Sequence, residues 1–246
     1  MLKIENFEVV GWEHAIRGMR NPKNSWDRSD SNFHARRDLY YNDPEVQAFV
    51  DEDGCFYMMD GVDIGSNDHK LMMTLAKGGP VHAKYRRMIA VYLDITAPLY
   101  WWKEFDTYKV GTVANSCSTM HKIHDRDLTL EDFSYDKLLV DRHELMEELG
   151  DQAMSPLDDL LYDISKLNKY RKLYLETGDK IWWEQMIQRL PTNYNQKRTV
   201  MLSYEVLANI YKWRKNHKLD EWHTFCHWIE ELPYSELITG YEESDE

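Results

Sequence analysis

The segment from Ile95 to His121 combines two residue patterns that rarely stand side by side. It begins as an apolar, aromatic run with the pair Trp101-Trp102, and it then changes to small polar residues such as Asn115 and Ser118. Loops in solvent rarely follow a doubled tryptophan, and core helices rarely carry so many hydroxyls and amides. The segment therefore predicts a buried helix that leads into a polar loop at a ligand.

The composition limits the kind of protein that can carry this segment. Of the 246 residues 43% are apolar, which provides for a substantial core, and the net charge of -13 argues against nonspecific binding of DNA or RNA. The cysteines Cys55, Cys117 and Cys226 form no CxxC pair, so neither a zinc knuckle nor a disulfide framework is predicted. No run reaches the ~20 apolar residues of a membrane span, and no signal peptide is recognisable. We expect a soluble, cytoplasmic protein without a membrane partner.

In the first half of the chain the patterns alternate between strand and helix. Residues 3–10 predict a strand, and the polar stretch from Arg17 to Arg37 predicts turns. One helix is predicted from Asp43, with Pro44 at its first position. A second helix is expected from an N-cap at Asn67 or Asp68 to Gly78, with Leu71 and Leu75 on its core face. Residues 86–96 are the best strand, and Pro98 is expected to start the aromatic helix.

The last hundred residues predict helices throughout. The first has Ser155 as its N-cap, Gly178 as its end and a core face of Leu157, Leu160, Leu161, Ile164 and Leu167. A short helix follows from Asp179 to about Leu190. Apolar residues at helical spacing predict two more, at about 204–215 and 219–232.

Motifs that carry chemistry are few. His121 and His124 stand three residues apart beside Asp125, which would allow a shared metal on a helix, but ordinary polar histidines are the more frequent interpretation and we predict no metal site. The chain has no P-loop, no dinucleotide fingerprint, no GxSxG and no HExxH. Arginine suits a phosphate through its planar fork, although each basic residue here also has surplus carboxylates to pair with. These basic residues include Arg86, Arg87, Lys103, Lys109, Lys122, Arg189, Lys197, Arg198 and Arg214.

The order of these pieces resembles that of the flavin-dependent thymidylate synthases. That family runs from a helix through a turn ending in His, a strand and a helix ending in Arg-His-Arg to a loop patterned Ser-x-Asn-x-x-Ser-x-Arg-Tyr. This chain has GGPVH ending in His82, a strand, Ala97-Pro98, the aromatic helix and Asn115-x-x-Ser118. Leu-Pro, a helix ending in Arg and a Gln-Trp follow in the family. Here the corresponding pieces are Leu190-Pro191, Arg214 and Glu221-Trp222.

The resemblance implies both the fold and the positions of a site. The fold would be α+β, like that of the thymidylate synthase-complementing proteins, with a central antiparallel sheet and a largely helical C-terminal half. It would form one domain over residues 1–246, with an acidic tail from about 240 to 246. The implied positions are Arg214 and Glu104 for catalysis, His82, Tyr108 and Lys109 for the flavin, and Asn115, Ser118, Arg214 and Arg87 for the nucleotide.

The chain also departs from the family's motifs. Arg-His-Arg falls on Thr107-Tyr108-Lys109 or one residue later. The loop's Arg-Tyr becomes Met120-His121, and Asn-Ala-Arg becomes Ser203-Tyr204-Glu205. The family's helix glutamine falls on Glu104. Loop capping is an alternative role for Asn115 and Ser118. For Arg214 the alternative is interaction with the helix dipole alone.

Three functions follow from the resemblance. The first is methylation of dUMP, with FAD and methylenetetrahydrofolate as cofactors and NADPH if the chain is active. The second is a catalytically inactive protein that binds a nucleotide or another small molecule, with Tyr100, Trp101, Trp102 and Tyr108 either stacking on a base or filling the core. The third is a purely structural, oligomeric module. The resemblance also implies a homo-oligomer, most simply a homotetramer.

Overall fold

The computed structural model describes residues 2–34, 58–59, 61–140 and 154–240. The first half contains β1 (Lys3–Val10), α1 (Trp12–Arg20), β2 (Asn32–His34), β3 (Met58–Met59), β4 (Gly61–Asp63), α2 (Ser66–Lys77), β5 (Ala90–Pro98) and α3 (Leu99–Phe105). The second half contains β6 (Val113–Ser116), α4 (Thr119–Lys122), α5 (Pro156–Thr177), α6 (Lys180–Arg189), β7 (Asn195–Ser203), α7 (Tyr204–Arg214), α8 (Asp220–Glu230) and α9 (Glu236–Thr239). The fold is α+β, as the sequence predicts.

Five of the strands form one sheet in the order β3-β1-β5-β7-β6, and β2 pairs with β4 in a separate antiparallel ribbon. Three contacts show that β5 and β7 run antiparallel. Hydrogen bonds join Tyr204 to Ile89, Thr199 to Asp94 and Leu99 to Tyr194. Along these pairs the residue numbers on the β5 side rise while those on the β7 side fall, as in antiparallel strands. The edge pair β1 and β3 is parallel, with Glu8 opposite Met58. The predicted antiparallel sheet therefore ends in one parallel pair.

Strand β5 shows why its residues form a buried strand. Val91, Leu93 and Ile95 are buried, whereas Tyr92 between them is exposed, so the side chains alternate as the period of a strand requires. Arg86 and Arg87, predicted to open this strand, instead end a 3-10 turn at Ala83–Arg87. Pro98 is the last residue of the strand rather than the start of the helix.

The described chain divides into two compact units. The first comprises Thr96–Phe105 and Ser116–Arg198. Helices α5 and α6 form a hairpin there, and the apolar core of this unit contains Ile123, Leu128, Phe133, Leu160, Ile164, Leu167 and Met186. Ser155 caps α5 by accepting a hydrogen bond from the backbone N–H of Asp158 at 3.1 Å, and Gly178 ends the helix in the left-handed region at φ 67°.

The second unit comprises Leu2–Ile95, Asp106–Asn115 and Thr199–Glu246. Its buried aromatic residues pack edge to face. Trp12 lies 5.3 Å from Tyr204 and 5.4 Å from Tyr234 between ring centroids. The hydroxyl of Tyr204 donates to the carbonyl of Pro233 at 2.6 Å, which satisfies the polar end of a fully buried ring.

Several helix predictions are confirmed, and others need correction. Helices α5, α6, α7 and α8 lie where they were predicted. On α5, however, Leu161 is exposed although it was placed on the core face. Helix α2 begins at Ser66 after Gly65, not at an Asn67 or Asp68 cap. Its buried residues are Asp68, Met72 and Ala76, whereas Leu71 and Leu75 are only partly buried.

Three elements were not predicted. Helix α1 includes Arg17 and Arg20, which were assigned to turns, although 3-10 turns do follow at Asn21–Lys23 and Trp26–Arg28. Strand β7 interrupts the C-terminal half that was predicted to be all helix. Strand β6 occupies part of the predicted polar loop. The helix predicted from Asp43 and the acidic tail after Gly240 lie outside the described residues, and a single domain over 1–246 stays a prediction.

Candidate functional site

Arg214, at the last position of α7, is held by aromatic neighbours. Its Nε donates to the hydroxyl of Tyr108 at 2.9 Å, and its guanidinium lies 4.7 Å from the ring centroid of Trp222. Trp222 is fully buried and packs edge to face with Tyr108 at 6.1 Å and with His217 at 6.3 Å. We call Arg214, Tyr108, Trp222 and His217 the Arg214 cluster. It brings together two of the predicted site residues, Arg214 and Tyr108.

A tight turn positions Tyr108 for this contact. The hydroxyl of Thr112 donates to the carbonyl of Tyr108 at 2.8 Å, and Gly111 adopts φ 80°, a left-handed conformation that glycine accepts without strain. A Cβ at Gly111 would lie 3.2 Å from a methyl of Val206. Lys109 is exposed on the same turn. The turn thus presents one fixed aromatic ring and one exposed cation.

The chemistry of the Arg214 cluster suits the recognition of an anion. Contacts with the faces of aromatic rings fix the plane of a guanidinium, which stays charged at every physiological pH. A guanidinium held in one orientation loses less conformational entropy when it forms paired hydrogen bonds with a phosphate. The cluster can therefore act as a preorganised donor.

The predicted nucleotide loop is anchored on β7 in the first unit. The N–H of Cys117 donates to the carbonyl of Lys197 at 2.9 Å, and the Gln196 amide donates to the carbonyl of Cys117 at 3.1 Å. Ser118 caps α4 by accepting a hydrogen bond from the N–H of His121 at 3.2 Å. The capping alternative is therefore realised. A serine hydroxyl that accepts one bond can still donate its proton, so the cap leaves a phosphate contact available.

Arg198 is a cation of this unit that sequence reasoning named only among many basic residues. Its guanidinium lies 4.1 Å from the ring centroid of Trp102, and its Nε donates to the side-chain oxygen of Gln196 at 3.0 Å. Gln196 in turn holds the loop at Cys117, so Arg198 is linked to the predicted loop through one residue. The sequence could have indicated Arg198 only as a basic residue on a strand, and strand β7 was not predicted.

The structure does not bring every predicted residue to the Arg214 cluster. Arg87 is exposed and lies 3.6 Å from Glu205, near the first turn of α7. Arg214 ends this helix, nine residues or about 14 Å farther along its axis. His82 is exposed, and a Cβ at Gly78 would lie 3.0 Å from its ring. Arg87 therefore belongs to the other end of α7. His82 lies beside Gly78 and donates its backbone N–H to the carbonyl of Gly79 at 3.0 Å.

The remaining predicted positions differ in exposure. Asn115 is exposed on β6, and Glu104 is half-buried on α3. The roles of both residues at a site stay predictions.

The doubled tryptophan is core, not a stacking platform. Trp101 and Trp102 are 0% and 1% exposed, and both pack against Phe105, with ring centroids at 5.0 and 5.2 Å. The indole N–H of Trp102 donates to the carbonyl of Gln196 at 2.9 Å. Neither ring has a face open to a base, so of the two alternatives for this pair the structure supports core packing.

The described residues contain neither a metal-binding cluster nor a membrane-spanning helix. Within these ranges no three His, Cys, Asp or Glu side chains are placed to hold a metal ion together, including the neighbourhood of His121 and His124. Over the same ranges, no helix has both the length and the apolar composition that crossing a bilayer requires.

The fold formed by these elements is that of the flavin-dependent thymidylate synthases. Thymidylate Synthase X (ThyX) from Helicobacter pylori, solved with FAD and dUMP, is similar at a TM-score of 0.59 and 13% identity, over 97% of each chain. A second ThyX structure from the same organism, also with FAD and dUMP, gives a TM-score of 0.57.

A methylase of nucleotides has a related structure. The UMP/dUMP methylase PolB from Streptomyces cacaoi, bound with 5-Br UMP, is similar at a TM-score of 0.50 and 11% identity, covering 87% of this chain and 96% of that one. No protein-family model matches the chain, and no curated protein sequence matches it. At such identities the likeness shows the fold alone.

Proposed function

We propose that this protein binds a pyrimidine nucleotide through the Arg214 cluster. The observation that carries the proposal is the orientation of Arg214 by Tyr108 and Trp222. It occurs on a fold whose solved relatives hold dUMP or 5-Br UMP. A uridine nucleotide is common to these structures, whereas FAD accompanies it in the two ThyX structures. This makes the nucleotide the better supported ligand.

Direct binding measurements test the proposal. We expect dUMP or UMP to give saturable binding in calorimetry, and Arg214→Ala to weaken it about 10- to 100-fold, since a hydrogen bond to a charged group contributes about 1.5–3 kcal/mol. Tyr108→Phe should weaken binding less, because the ring remains and only the hydroxyl is lost. Arg28→Ala removes an exposed arginine elsewhere and serves as the matched control.

Two outcomes contradict the proposal. One is the absence of binding for both nucleotides with a folded wild-type protein. The other is an Arg214→Ala variant that keeps its melting temperature and binds as tightly as Arg28→Ala. In the first case the scaffold has another ligand, and in the second the phosphate is recognised elsewhere.

Methylation of dUMP with FAD and methylenetetrahydrofolate is the second candidate function. It is favoured by the extent of the fold likeness to ThyX, which covers 97% of both chains. At the clamp position, Thr107-Tyr108-Lys109, only Lys109 offers a cation, and Tyr108 is already bonded to Arg214. Flavin would supply redox chemistry, with NADPH as the reductant, and Arg214 would orient the pyrimidine.

Cofactor content separates the two functions. An enzyme of this kind purifies with a flavin absorbance spectrum, or gains one when FAD is added, and it rescues a host that requires thymidine. A colourless protein that binds dUMP but neither takes up FAD nor rescues such a host is the inactive binding protein. That result removes methylation and leaves the nucleotide proposal intact.

A further inference from the structure

A shallow pocket of about 310 Å³, open to solvent, lies in the first unit, beside the tip of the α5–α6 hairpin. We call it the hairpin cavity, and its lining residues are Met120, His121, His124, Tyr174, Lys180 and Trp183. Ligand pockets of proteins begin at about this volume, which accommodates a ligand of one ring. None of these residues belongs to the Arg214 cluster.

The walls of the hairpin cavity are fixed to one another. The indole N–H of Trp183 donates to the carbonyl of Met120 at 3.1 Å, which ties α6 to α4. Arg171 on α5 donates through Nε to the carbonyl of His124 at 2.9 Å and through Nη2 to that of Asp125 at 3.3 Å. These bonds connect all three helical segments around the cavity, so its shape is preformed.

His124 belongs to the lining of the cavity, and its ring is held in place. Its ring packs edge to face with Tyr174 at 5.2 Å, and its Nδ1 is buried without a hydrogen-bond partner in the part of the chain that the structure describes. Its Nε2 lies 4.0 Å from a carboxylate oxygen of Asp125.

The lining also has an asymmetric charge. Lys180 and two histidines contribute to it, and its described residues include no carboxylate. The Lys180 ammonium lies 5.9 Å from the ring centroid of Trp183 and 3.2 Å from Glu184, one turn along α6. Exposed pairs of this kind are weak, so Lys180 can turn to an incoming anion. The aromatic rings of Tyr174 and Trp183 supply apolar surface nearby.

We propose that the hairpin cavity is a second ligand site, which binds a small planar anion, an aromatic or heteroaromatic ring that carries a carboxylate. The ring packs against Tyr174 and Trp183, and the carboxylate meets Lys180 and the histidine pair. This site is independent of the proposed nucleotide function, since the Arg214 cluster contributes nothing to it.

Calorimetric titration at constant ionic strength, with benzoate and orotate as probes, tests the proposal. We expect saturable binding of at least one probe with a Kd of about 1 mM or below. Benzamide, which has the same shape without the charge, should bind at least about 10-fold more weakly. Equal affinity for benzamide, or no saturation by either probe, overturns the proposal. So does displacement of the probe by inorganic phosphate at equal concentration, because the cavity would then be an unspecific anion site.

Variants locate the binding. Lys180→Gln removes an exposed charge and should preserve the fold, and His124→Gln removes the ring; we expect each to weaken the probe at least about fivefold. The matched controls are Lys172→Gln on α5 and His223→Gln on α8, both exposed and outside the cavity. Unchanged affinity in Lys180→Gln, or competitive displacement of the probe by dUMP, contradicts a separate site. Dependence of dUMP binding on Arg214 is measured independently, so either proposal can fail alone.

Discussion

At the scale of single residues, Asp68 is the most constrained group of the described chain. It is fully buried and accepts hydrogen bonds from Nε of Arg20 at 2.6 Å and from the hydroxyls of Ser29 and Ser31, each at 2.7 Å. Burial alone would raise the pKa of this carboxyl, but these bonds outweigh it and hold the pKa below its ordinary value. Arg20 is also buried. The group thus joins α1 and α2 to the turns between them.

Removing Arg20 should be costly. We expect Arg20→Ala to lower the free energy of unfolding by about 3–5 kcal/mol, because Asp68 then remains buried without its partner. Arg189→Ala breaks a pair of similar length, 2.8 Å to Asp163, but on the surface, and should lose less than about 1 kcal/mol. Urea denaturation measures both. Equal losses in the two variants would show that burial of the Arg20 pair has no energetic consequence.

The same carboxyl predicts a pH dependence. Its pKa is lowered in the folded protein, so its contribution is complete above the ordinary value of 3.8 and disappears as the pH falls through the folded value. The difference in unfolding free energy between wild type and Asp68→Asn should therefore be constant near neutral pH and shrink below about pH 4. Denaturation curves at several pH values measure it. A difference that stays constant down to pH 2 would contradict the assigned pKa shift.

Two cysteines should differ sharply in reactivity. Cys226 is buried, and burial, with Glu230 nearby, raises the pKa of its thiol to about 12. Cys117 is exposed. In a Cys55→Ser background we expect a thiol reagent at pH 8 to modify Cys117 rapidly and Cys226 only after unfolding, because the thiolate is the reactive form. Mass spectrometry identifies the site. Early labelling of Cys226 would show that α8 opens in the native state.

At the scale of elements, the sequence was sufficient where caps and periodicity agree. Helix α5 carries Ser155, Pro156 and Gly178 at the expected positions, and both of its ends were predicted. Helix α1 has no such signal, since its N-cap is Gly11 in a left-handed conformation with no side-chain cap. Strand β7 begins with polar residues, and its buried alternation is confined to Val200 and Leu202. An alternating pattern this short does not distinguish a strand from other structures. The strand forms because it pairs with its neighbours in the sheet, and a single sequence does not reveal that pairing.

The end of α5 allows a test of backbone conformation alone. Gly178 has φ 67°, and a Cβ there would meet no atom within 4 Å. We expect Gly178→Ala to destabilise the protein by about 1 kcal/mol, since other residues pay a penalty in the left-handed region. Gly178→Asn should lose less, because asparagine tolerates this conformation. Thermal unfolding compares the two. A greater loss of stability in Gly178→Asn than in Gly178→Ala would indicate that a neighbouring side chain, and not the backbone angle φ, determines the effect.

At the scale of the whole molecule, the candidate site was predictable in position but not in its contacts. Arg214 was identified because it ends a helix at the place that the family's order implies. Its partner Tyr108 lies 106 residues away along the chain, so the bond between them becomes visible only in the fold. Trp101 and Trp102 show the converse. Their residue type suits base stacking, and only their burial assigns them to the core.

Assembly is the remaining prediction at this scale. The family resemblance implies a homo-oligomer, and helix α5 exposes two leucines, Leu161 at 45% and Leu175 at 55%. Their spacing places them within about 40° of each other around the helix axis. Exposed apolar residues on one face often mark an interface.

We expect light scattering after size exclusion to show an oligomer at micromolar concentration, and Leu161→Glu with Leu175→Glu to shift it to smaller species. Lys169→Glu, an exposed change of charge on the same helix, should not. A monomeric wild type would contradict the implied assembly, whereas an oligomer that persists in the double variant would place its interface away from α5.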